Sequence, residues 1–256
     1  MNKLSLMIAT LLITILLLAA CGGSTTSQPT TTTPPTTTPA RTTTLPTTTS
    51  TEPKTVNFPD KNLEAAIRDA LDMPEGEEIT VEELAELTEL DAIYSGITNL
   101  SGIEYCTNLT LLSLSDNQIS DISPLSSLTS LKLLGLGFNK VQDISALSSL
   151  TNLIALKLPG NEISDISPLS TLVNLTLLYL RNNNISDIPP LASLTNLQLL
   201  WLSYCNISDI SILVENSGLG EGDVVIIKKN NLDLTEDSDD MQNIKTLQDR
   251  GVAVIY

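Results

Sequence analysis

The residues that most often perform chemistry in enzymes are scarce in this sequence of 256 residues, which has no histidine and three cysteines. Without an imidazole there is no Ser-His-Asp triad, no histidine general base and no histidine-ligated zinc. The formal net charge of −17 repels phosphate backbones and disfavours nucleic-acid binding. Serine is abundant, but it lies at turn positions of a repeat described below, and no constellation of nucleophile and base appears. We therefore expect no enzyme activity, no cofactor and no nucleic-acid partner.

Aspartates recurring every 22 residues in the pattern I-x-D-I are the side chains best suited to metal chemistry. They are Asp121, Asp143, Asp165, Asp187 and Asp209. Stacked carboxylates about 5 Å apart could bind Ca²⁺, which prefers carboxylate oxygens. Alternatively, each aspartate caps a short helical turn such as "ISPLSSL" by accepting backbone N–H groups two or three residues on. The pattern favours this structural role without excluding the first, and we assign no metal site.

The only tryptophan, Trp201, lies among leucines in "NLQLLWLSYCNISDI", and its exposure depends on how these leucines repeat. Leucines open successive copies of 22 residues at Leu109, Leu131, Leu153, Leu175 and Leu197, and a more divergent copy begins at Leu87. Each copy follows L-x-x-L-x-L-x-x-N-x-I-x-x-I-x-x-L-x-x-L, with the opening leucine as position one. This spacing matches the leucine-rich repeat signature.

The repeat predicts an α/β solenoid, a leucine-rich repeat horseshoe or arc. Side chains at positions four and six share one face of a short strand and point into the core. Neighbouring copies stack as parallel strands about 4.8 Å apart, which form the concave side. We expect short 3-10 turns on the convex side, a helical N-terminal cap and a helix-strand C-terminal cap.

Position nine carries asparagine in four copies, at Asn117, Asn139, Asn161 and Asn183. We expect these amides to bond backbone groups that the turn would otherwise leave unpaired. Cys205 takes this position in the Trp201 copy, and Asn230 takes it in a later, degenerate copy. Cys106 and Cys205 are separated by about five strand spacings, too far for a disulfide. We predict two unpaired thiols.

Both ends of the array carry cap signals. The helix "KNLEAAIRDAL" follows Asp60 as N-cap, with Leu63, Ile67, Ala70 and Leu71 on one face. Thr80-Val81-Glu82-Glu83 is a capping box for a second short helix. At the far end, "DSDDMQNIKTLQDRG" predicts a helix with Ile244 and Leu247 inward. The strand "VAVIY" then closes the core.

The N-terminal region has the layout of an export signal and a tether. Residues 1–20 combine Lys3 with an apolar run, and Leu18-Ala19-Ala20-Cys21 resembles the lipobox of bacterial lipoproteins, in which the cysteine is acylated. A plain transmembrane anchor is the alternative interpretation. Residues 21–55 comprise the lipidated Cys21 and a disordered stalk rich in threonine and proline. Residues 56–86 are then the helical cap, 87–216 the six repeats and 217–256 a degenerate repeat with the C-terminal cap.

The helical cap and repeats such as "NQISDISPLSSLTSL" resemble bacterial internalin-type leucine-rich repeat proteins over residues 56–256. The resemblance implies a surface module that binds other proteins through its concave strands. Two features are expected to differ from that family: a helix and a strand as the C-terminal cap rather than an immunoglobulin-like domain, and a lipid anchor rather than a wall-sorting signal. We therefore carry over protein binding and not a role in host invasion.

Positions three, five, seven and eight lie on or beside the concave surface, which we call the strand face. Trp201 and Tyr179 stand at position five of adjacent copies, and Arg181 is at position seven. Position eight carries Tyr204, Phe138 and Tyr94, and position three carries Leu111, Leu133, Leu177 and Leu199. Aromatic residues and arginine dominate interface hot spots, so we predict a protein-binding site here. For the leucines, mutual packing along the sheet is an equally good interpretation.

Two classes of function follow. The first is a non-catalytic surface lipoprotein, exported and held on the outer face of a bacterial membrane by lipid on Cys21. It would act as a monomeric receptor or adhesin for a protein ligand. The second is a structural or envelope-assembly spacer that associates with itself. The aromatic residues of the strand face favour the first.

Overall fold

The N-terminal cap is the first part of the chain that the computed structural model describes, since the description covers residues 54–256. Strands β1 (Thr55–Val56) and β2 (Ile79–Thr80) pair antiparallel. Helices α1 (Lys61–Leu71) and α2 (Val81–Leu84) follow them in the order β1-α1-β2-α2. Thr55, which the sequence assigns to the stalk, instead belongs to the cap because it pairs with Thr80.

The helix signals of the cap are confirmed, with one exception. The Asp60 side chain accepts the N–H groups of Asn62 and Leu63 in the first turn of α1, and Thr80 and Glu83 form the capping box of α2. Leu63 and Ile67 are buried. Ala70 was wrongly placed on the inner face: it is exposed, because its one-carbon side chain in the last turn of α1 does not reach the core.

A single parallel sheet of eight strands follows the cap, with the strands side by side in chain order. The strands are β3 (Glu89–Asp91), β4 (Leu111–Ser113), β5 (Leu133–Gly135), β6 (Ala155–Lys157), β7 (Leu177–Tyr179), β8 (Leu199–Trp201), β9 (Val224–Ile226) and β10 (Ala253–Ile255). From β3 to β8 each residue pairs with the one 22 positions on, as Leu111 does with Leu133. Leu199 pairs with Val224, so the degenerate copy is longer.

Short 3-10 helices return the chain from each strand to the next, as the fold class predicts. They are Ile103–Tyr105, Ser123–Ser127, Ser145–Ser149, Ser167–Thr171 and Pro189–Ser193. In the copy that contains Trp201, between β8 and β9, an α-helix, α3 (Ser211–Glu215), takes their place. Leucines and isoleucines from strands and turns form one continuous core along the stack. Since no copy could bury its apolar face alone, the stack is the folding unit.

The asparagine column links neighbouring copies as expected. The Asn139 amide nitrogen donates to the carbonyls of Leu114 (2.9 Å) and Leu136 (3.1 Å), and its oxygen accepts the N–H of Ile119 (3.0 Å). The same arrangement recurs at Asn117, Asn161 and Asn183. Cys205 occupies the next site, where its Sγ lies 3.5 Å from the Leu180 carbonyl.

The C-terminal cap is a helix and a strand, as predicted. Helix α4 (Asp239–Asp249) buries Ile244 and Leu247, and Gly251 turns the chain at φ 92° into β10. Cys106 and Cys205 are free and buried, which confirms the prediction of two unpaired thiols. Burial, with a smaller contribution from Glu104, raises the pKa of the Cys106 thiol to about 12.

The signal segment 1–20, the acylated Cys21 and almost all of the stalk assigned to residues 21–55 lie outside the described residues. Among the helices of residues 54–256, none has the length and apolar character needed to span a bilayer. The described residues, 54–256, form a compact unit whose core runs without a break between the two caps.

Candidate functional site

Strand alternation places Trp201 on the face of the sheet opposite the core. Its neighbours Leu200 and Leu202 are fully buried, whereas Trp201 itself is half-buried. Tyr179, which pairs with Trp201 across β7 and β8, is half-buried in the same way. Both rings therefore belong to the strand face, and both are partly exposed.

Five side chains on this face form a group that we call the basic-aromatic cluster: Lys157, Tyr179, Arg181, Trp201 and Phe138. The Tyr179 and Trp201 rings meet edge to face, with centroids 5.5 Å apart and planes at 79°. The Arg181 guanidinium lies 5.0 Å from the Trp201 ring and 5.7 Å from the Phe138 ring. The Lys157 ammonium lies 6.0 Å from the Tyr179 ring. Cation–π and edge-to-face contacts thus hold the cluster together.

The tryptophan ring is also held by a polar contact. Trp201 Nε1 donates a hydrogen bond of 3.0 Å to the Oγ of Ser203, which is buried. Burial raises the pKa of the Tyr179 hydroxyl, so this ring stays neutral over the physiological range. The two rings consequently present an ordered surface of mixed apolar and hydrogen-bonding character.

Position eight has an unusual backbone conformation. Tyr94, Phe138 and Tyr204 have φ angles of 56°, 55° and 58°, in the left-handed region. For residues other than glycine this region costs about 1–2 kcal/mol, and asparagine and aspartate tolerate it best. Asp116 and Asn182 take the same position in other copies. The three aromatic residues therefore stand where the backbone would accept smaller residues more readily.

Gly160 makes room for the Phe138 ring. A Cβ atom on Gly160 would lie 2.6 Å from that ring, closer than any real contact. The ring thus lies across the turn of the following copy, near Arg181. Phe138 is nevertheless 46% exposed, so the contact orients the ring without burying it.

Two of the predicted aromatic residues lie outside the cluster. Tyr94 is 79% exposed and follows β3, two strands away from the strand that precedes Phe138. Tyr204 is 58% exposed and follows β8, and its backbone N–H donates to the Lys228 carbonyl at 2.9 Å. Both lie along the rim of the strand face and extend the aromatic surface rather than the cluster.

The four leucines at position three fall into two pairs. Leu111 and Leu133 are half-buried, as expected for part of a binding surface. Leu177 and Leu199 are only 7% and 8% exposed, which favours for these two the alternative interpretation of packing along the sheet over exposure in a binding surface. The residue two places on shares their face of the strand, and in these copies it is Tyr179 or Trp201. The large rings cover the adjacent leucines.

The aspartate column performs the structural role. The N–H groups of Ser123, Ser145, Ser167 and Ser211 donate to the carboxylate two residues earlier, at 2.7–2.8 Å. These bonds lower the pKa of Asp143, Asp165 and Asp209. Asp187 is the exception, because proline follows at 189; it accepts the Ser186 hydroxyl instead. In residues 54–256 no group of three or more cysteine, aspartate or glutamate side chains is placed to hold a metal ion.

Sequence reasoning missed three cations of the strand face. Lys157 stands at position five beside Tyr179, where the repeat numbering alone could have found it. Lys228 and Lys229 follow β9 and take positions seven and eight of the degenerate copy. Counting back from Asn230 at position nine could have found both of them, and the pairing of Val224 with Leu199 gives the same numbering.

Comparisons with known proteins agree with this architecture. A family model described as two copies of leucine-rich repeats matches residues 85–127, 107–149, 151–192 and 173–215, just over half of the chain. The crystal structure of an internalin, InlF, from Listeria monocytogenes is similar, with a TM-score of 0.70 and 35% identity over 81% of this chain. No curated protein sequence matches the chain at a significant level.

A second Listeria monocytogenes structure, internalin C2, aligns with a TM-score of 0.58 and 31% identity over 80% of this chain and 98% of its own. The chain spans 59% of the length of InlF. The parallel sheet, the 3-10 turns and the repeats define a leucine-rich repeat solenoid. The chain belongs to the internalin-like leucine-rich repeat proteins.

Proposed function

We propose that this chain is a non-catalytic surface protein that binds a protein ligand on its concave strand face. The basic-aromatic cluster carries this proposal. Its rings and cations are partly exposed and lie on the face of the sheet opposite the continuous core. Trp, Tyr and Arg in contact are the side chains that most often supply binding energy at protein interfaces.

The proposed location follows from the N-terminal sequence. Export and acylation of Cys21 would anchor the chain to the outer face of a bacterial membrane, with the stalk that precedes Thr55 as spacer. At about 3.1 Å per residue, an extended proline-rich stalk would reach on the order of 100 Å. The strand face of a monomer would then be held clear of the membrane surface and open to a partner.

The first test is affinity capture with the unit of residues 54–256, compared with the double variant Tyr179→Ala, Trp201→Ala. We expect a protein partner to bind the first and to lose about 100-fold or more of its affinity for the second, as two hot-spot residues would. Leu234→Ala is the matched control, since Leu234 is 49% exposed and outside the sheet.

The outcomes separate the two classes of function. Equal capture by the wild type and the double variant would place the site away from the strand face. Capture of the chain itself and of no other protein would favour the assembly spacer over the receptor. Circular dichroism and thermal melting of both variants establish that a lost partner does not reflect a lost fold.

A further inference from the structure

Charge is divided unevenly along the strand face. Beside β6 to β9, positions three, five, seven and eight carry four cations, which are Lys157, Arg181, Lys228 and Lys229, and no carboxylate. Beside β3 and β4 the same positions carry Glu89, Asp91 and Asp116. In a chain with 30 acidic and 13 basic residues, a surface with only cations is a local concentration of charge.

Within residues 54–256 these cations have no carboxylate partner. Among residues 54–256 the ion pairs are Lys61–Glu64 and Arg68–Glu64, both within α1. In the same part of the chain, the side-chain nitrogens of Lys157, Arg181 and Lys228 make no hydrogen bond; Lys157 and Arg181 face aromatic rings instead. Arg181 therefore keeps all five N–H donors available.

Holding Lys157 in this position costs free energy. Its side chain is half-buried, and the loss of solvent lowers the pKa of the ammonium group. A desolvated charge is unfavourable unless a counter-charge approaches it. A ligand carboxylate would supply that counter-charge. The attraction between the carboxylate and the ammonium group would grow stronger as water leaves the interface.

We infer that the strand face over β6 to β9 binds an extended, acidic segment of a protein partner. This inference rests on the proposed function and names the chemistry of its ligand. Carboxylates of the segment meet Lys157, Arg181 and Lys228, and an apolar side chain between them packs on the Tyr179 and Trp201 rings.

The strand spacing sets the spacing of the ligand charges. Lys157 and Arg181 belong to adjacent copies and Arg181 and Lys228 to copies two apart, so they are offset by about 5 Å and about 10 Å along the stack. An extended segment that crosses the strands advances about 3.3 Å per residue. Acidic residues two or three positions apart therefore fit, with apolar residues between them.

The other half of the face argues for a protein segment rather than a uniform polyanion. A sulfated polysaccharide or nucleic acid lying along the sheet would meet Glu89, Asp91 and Asp116 at the β3 end and be repelled. A protein segment can carry its acidic residues at one end only. The half-buried Ile226 of β9 also offers an apolar contact that a sugar chain would use poorly.

The test uses three labelled peptides of equal length, in which leucine alternates with glutamate, glutamine or lysine, and fluorescence anisotropy with the 54–256 unit. At low ionic strength we expect the glutamate peptide to bind about tenfold more tightly than the glutamine peptide, with no binding of the lysine peptide. Salt at about 0.5 M should remove this preference, because it shortens the Debye length to a few ångströms and screens the attraction between the charges. Absence of binding of the glutamate peptide up to millimolar concentration would overturn the inference.

Matched variants separate the local site from the net charge. Lys157→Gln with Arg181→Gln should abolish the preference for glutamate. Lys132→Gln with Lys245→Gln removes the same charge from exposed lysines outside the strand-face positions and should leave the preference intact. Equal losses in both double variants would overturn the inference, as would tighter binding of a sulfated polysaccharide than of the glutamate peptide.

The same variants distinguish this inference from the proposed function. If a captured protein depends on Tyr179 and Trp201 but not on Lys157, Arg181 or salt, the acidic-segment inference fails and the binding function stands. If the glutamate peptide binds the aromatic double variant as well as the wild type, the basic-aromatic cluster is not the site, and both fail.

Discussion

The repeats carry two columns of side chains, one directed into the core and the other onto the strand face. The inward asparagines are identical in four copies, and each joins the backbone of two copies through one amide. On the strand face, the residue at position five changes from Lys157 to Tyr179 to Trp201 in successive copies. The backbone N–H and C=O groups that need a partner recur in every copy, so the same side chain serves each time. A ligand surface does not repeat every 22 residues, so the side chains that contact it can differ from copy to copy. Identity along a column therefore marks structure, and variation marks recognition.

Replacing an inward asparagine tests the first half of this comparison with the largest expected effect. Asn139→Ala removes donors to Leu114 and Leu136 and the acceptor for Ile119, all of them buried. We expect a loss of about 3 kcal/mol in the free energy of unfolding, because buried groups are left unpaired. Denaturant titration measures it.

Ser113→Ala is the control on the opposite face, where the side chain is half-buried and makes no hydrogen bond within the described residues. It should change the free energy of unfolding by less than about 0.5 kcal/mol. If Asn139→Ala costs no more than this control, the inward column is not the structural link between copies.

The junction between cap and array should show the next largest effect. Asp60 is buried and accepts the N–H groups of Leu63, Thr98 and Asn99. Burial alone would raise its pKa, but the hydrogen bonds from Thr98, Asn99 and Leu63 together outweigh it and hold the pKa below its usual value. The ionised carboxylate thus attaches the cap to the first repeat.

We expect Asp60→Asn to cost about 2 kcal/mol at neutral pH. Because the folded-state pKa is lowered, the contribution of Asp60 is present above its unfolded pKa, near 4, and is lost as the pH falls through the folded value. Urea midpoints at pH 7, 5 and 3 should therefore converge for wild type and variant. Asp69→Asn, an exposed acid of α1, should run parallel to wild type at every pH.

Periodicity explains why the array was predictable. One rule, applied to every copy, places the leucines inward, the asparagines at the turn and Trp201 on the strand face. The two free thiols follow from the same register, since five strand spacings separate them. The caps were predictable from local signals, such as the Thr80 and Glu83 capping box, that act within four residues.

What sequence reasoning missed depends on neighbours that no periodic rule supplies. The burial of Leu177 and Leu199 depends on the size of Tyr179 and Trp201 two residues on. Asp187 loses its turn bond because a proline follows it. The cation–π contacts of Arg181 depend on ring positions in two other copies.

The exception in the asparagine column predicts a gain in stability. Cys205 occupies the asparagine site with a sulfur 3.5 Å from the Leu180 carbonyl and 3.9 Å from the Ser203 carbonyl. Sulfur is a weak donor, so Cys205→Asn should add about 1 kcal/mol by restoring the amide bonds. Thermal melting measures the gain, and the reverse substitution Asn161→Cys should lower the melting temperature. A loss of stability in Cys205→Asn would mean that the last copies have adapted their packing to the thiol.

Replacing Phe138 tests whether the variable side chains of the strand face serve binding. This substitution should have the smallest effect on the free energy of unfolding and a large effect on binding. Phe138 holds φ at 55°, a conformation that Asn182 takes in another copy. Phe138→Asn relieves the strain of a bulky residue in the left-handed region but removes the ring from Gly160 and Arg181. We expect these changes to offset to within about 0.5 kcal/mol of stability.

Binding should respond differently, since without the Phe138 ring the Arg181 guanidinium loses one of its two aromatic contacts. We expect about tenfold weaker binding of the glutamate peptide, as for loss of a contact worth about 1.4 kcal/mol. Tyr94→Asn, at position eight but beside β3, is the matched control and should leave that affinity unchanged. If Phe138→Asn instead lowers stability by more than about 2 kcal/mol with unchanged affinity, the ring is part of the fold. In that case variation along a column would no longer suffice to mark a residue for recognition.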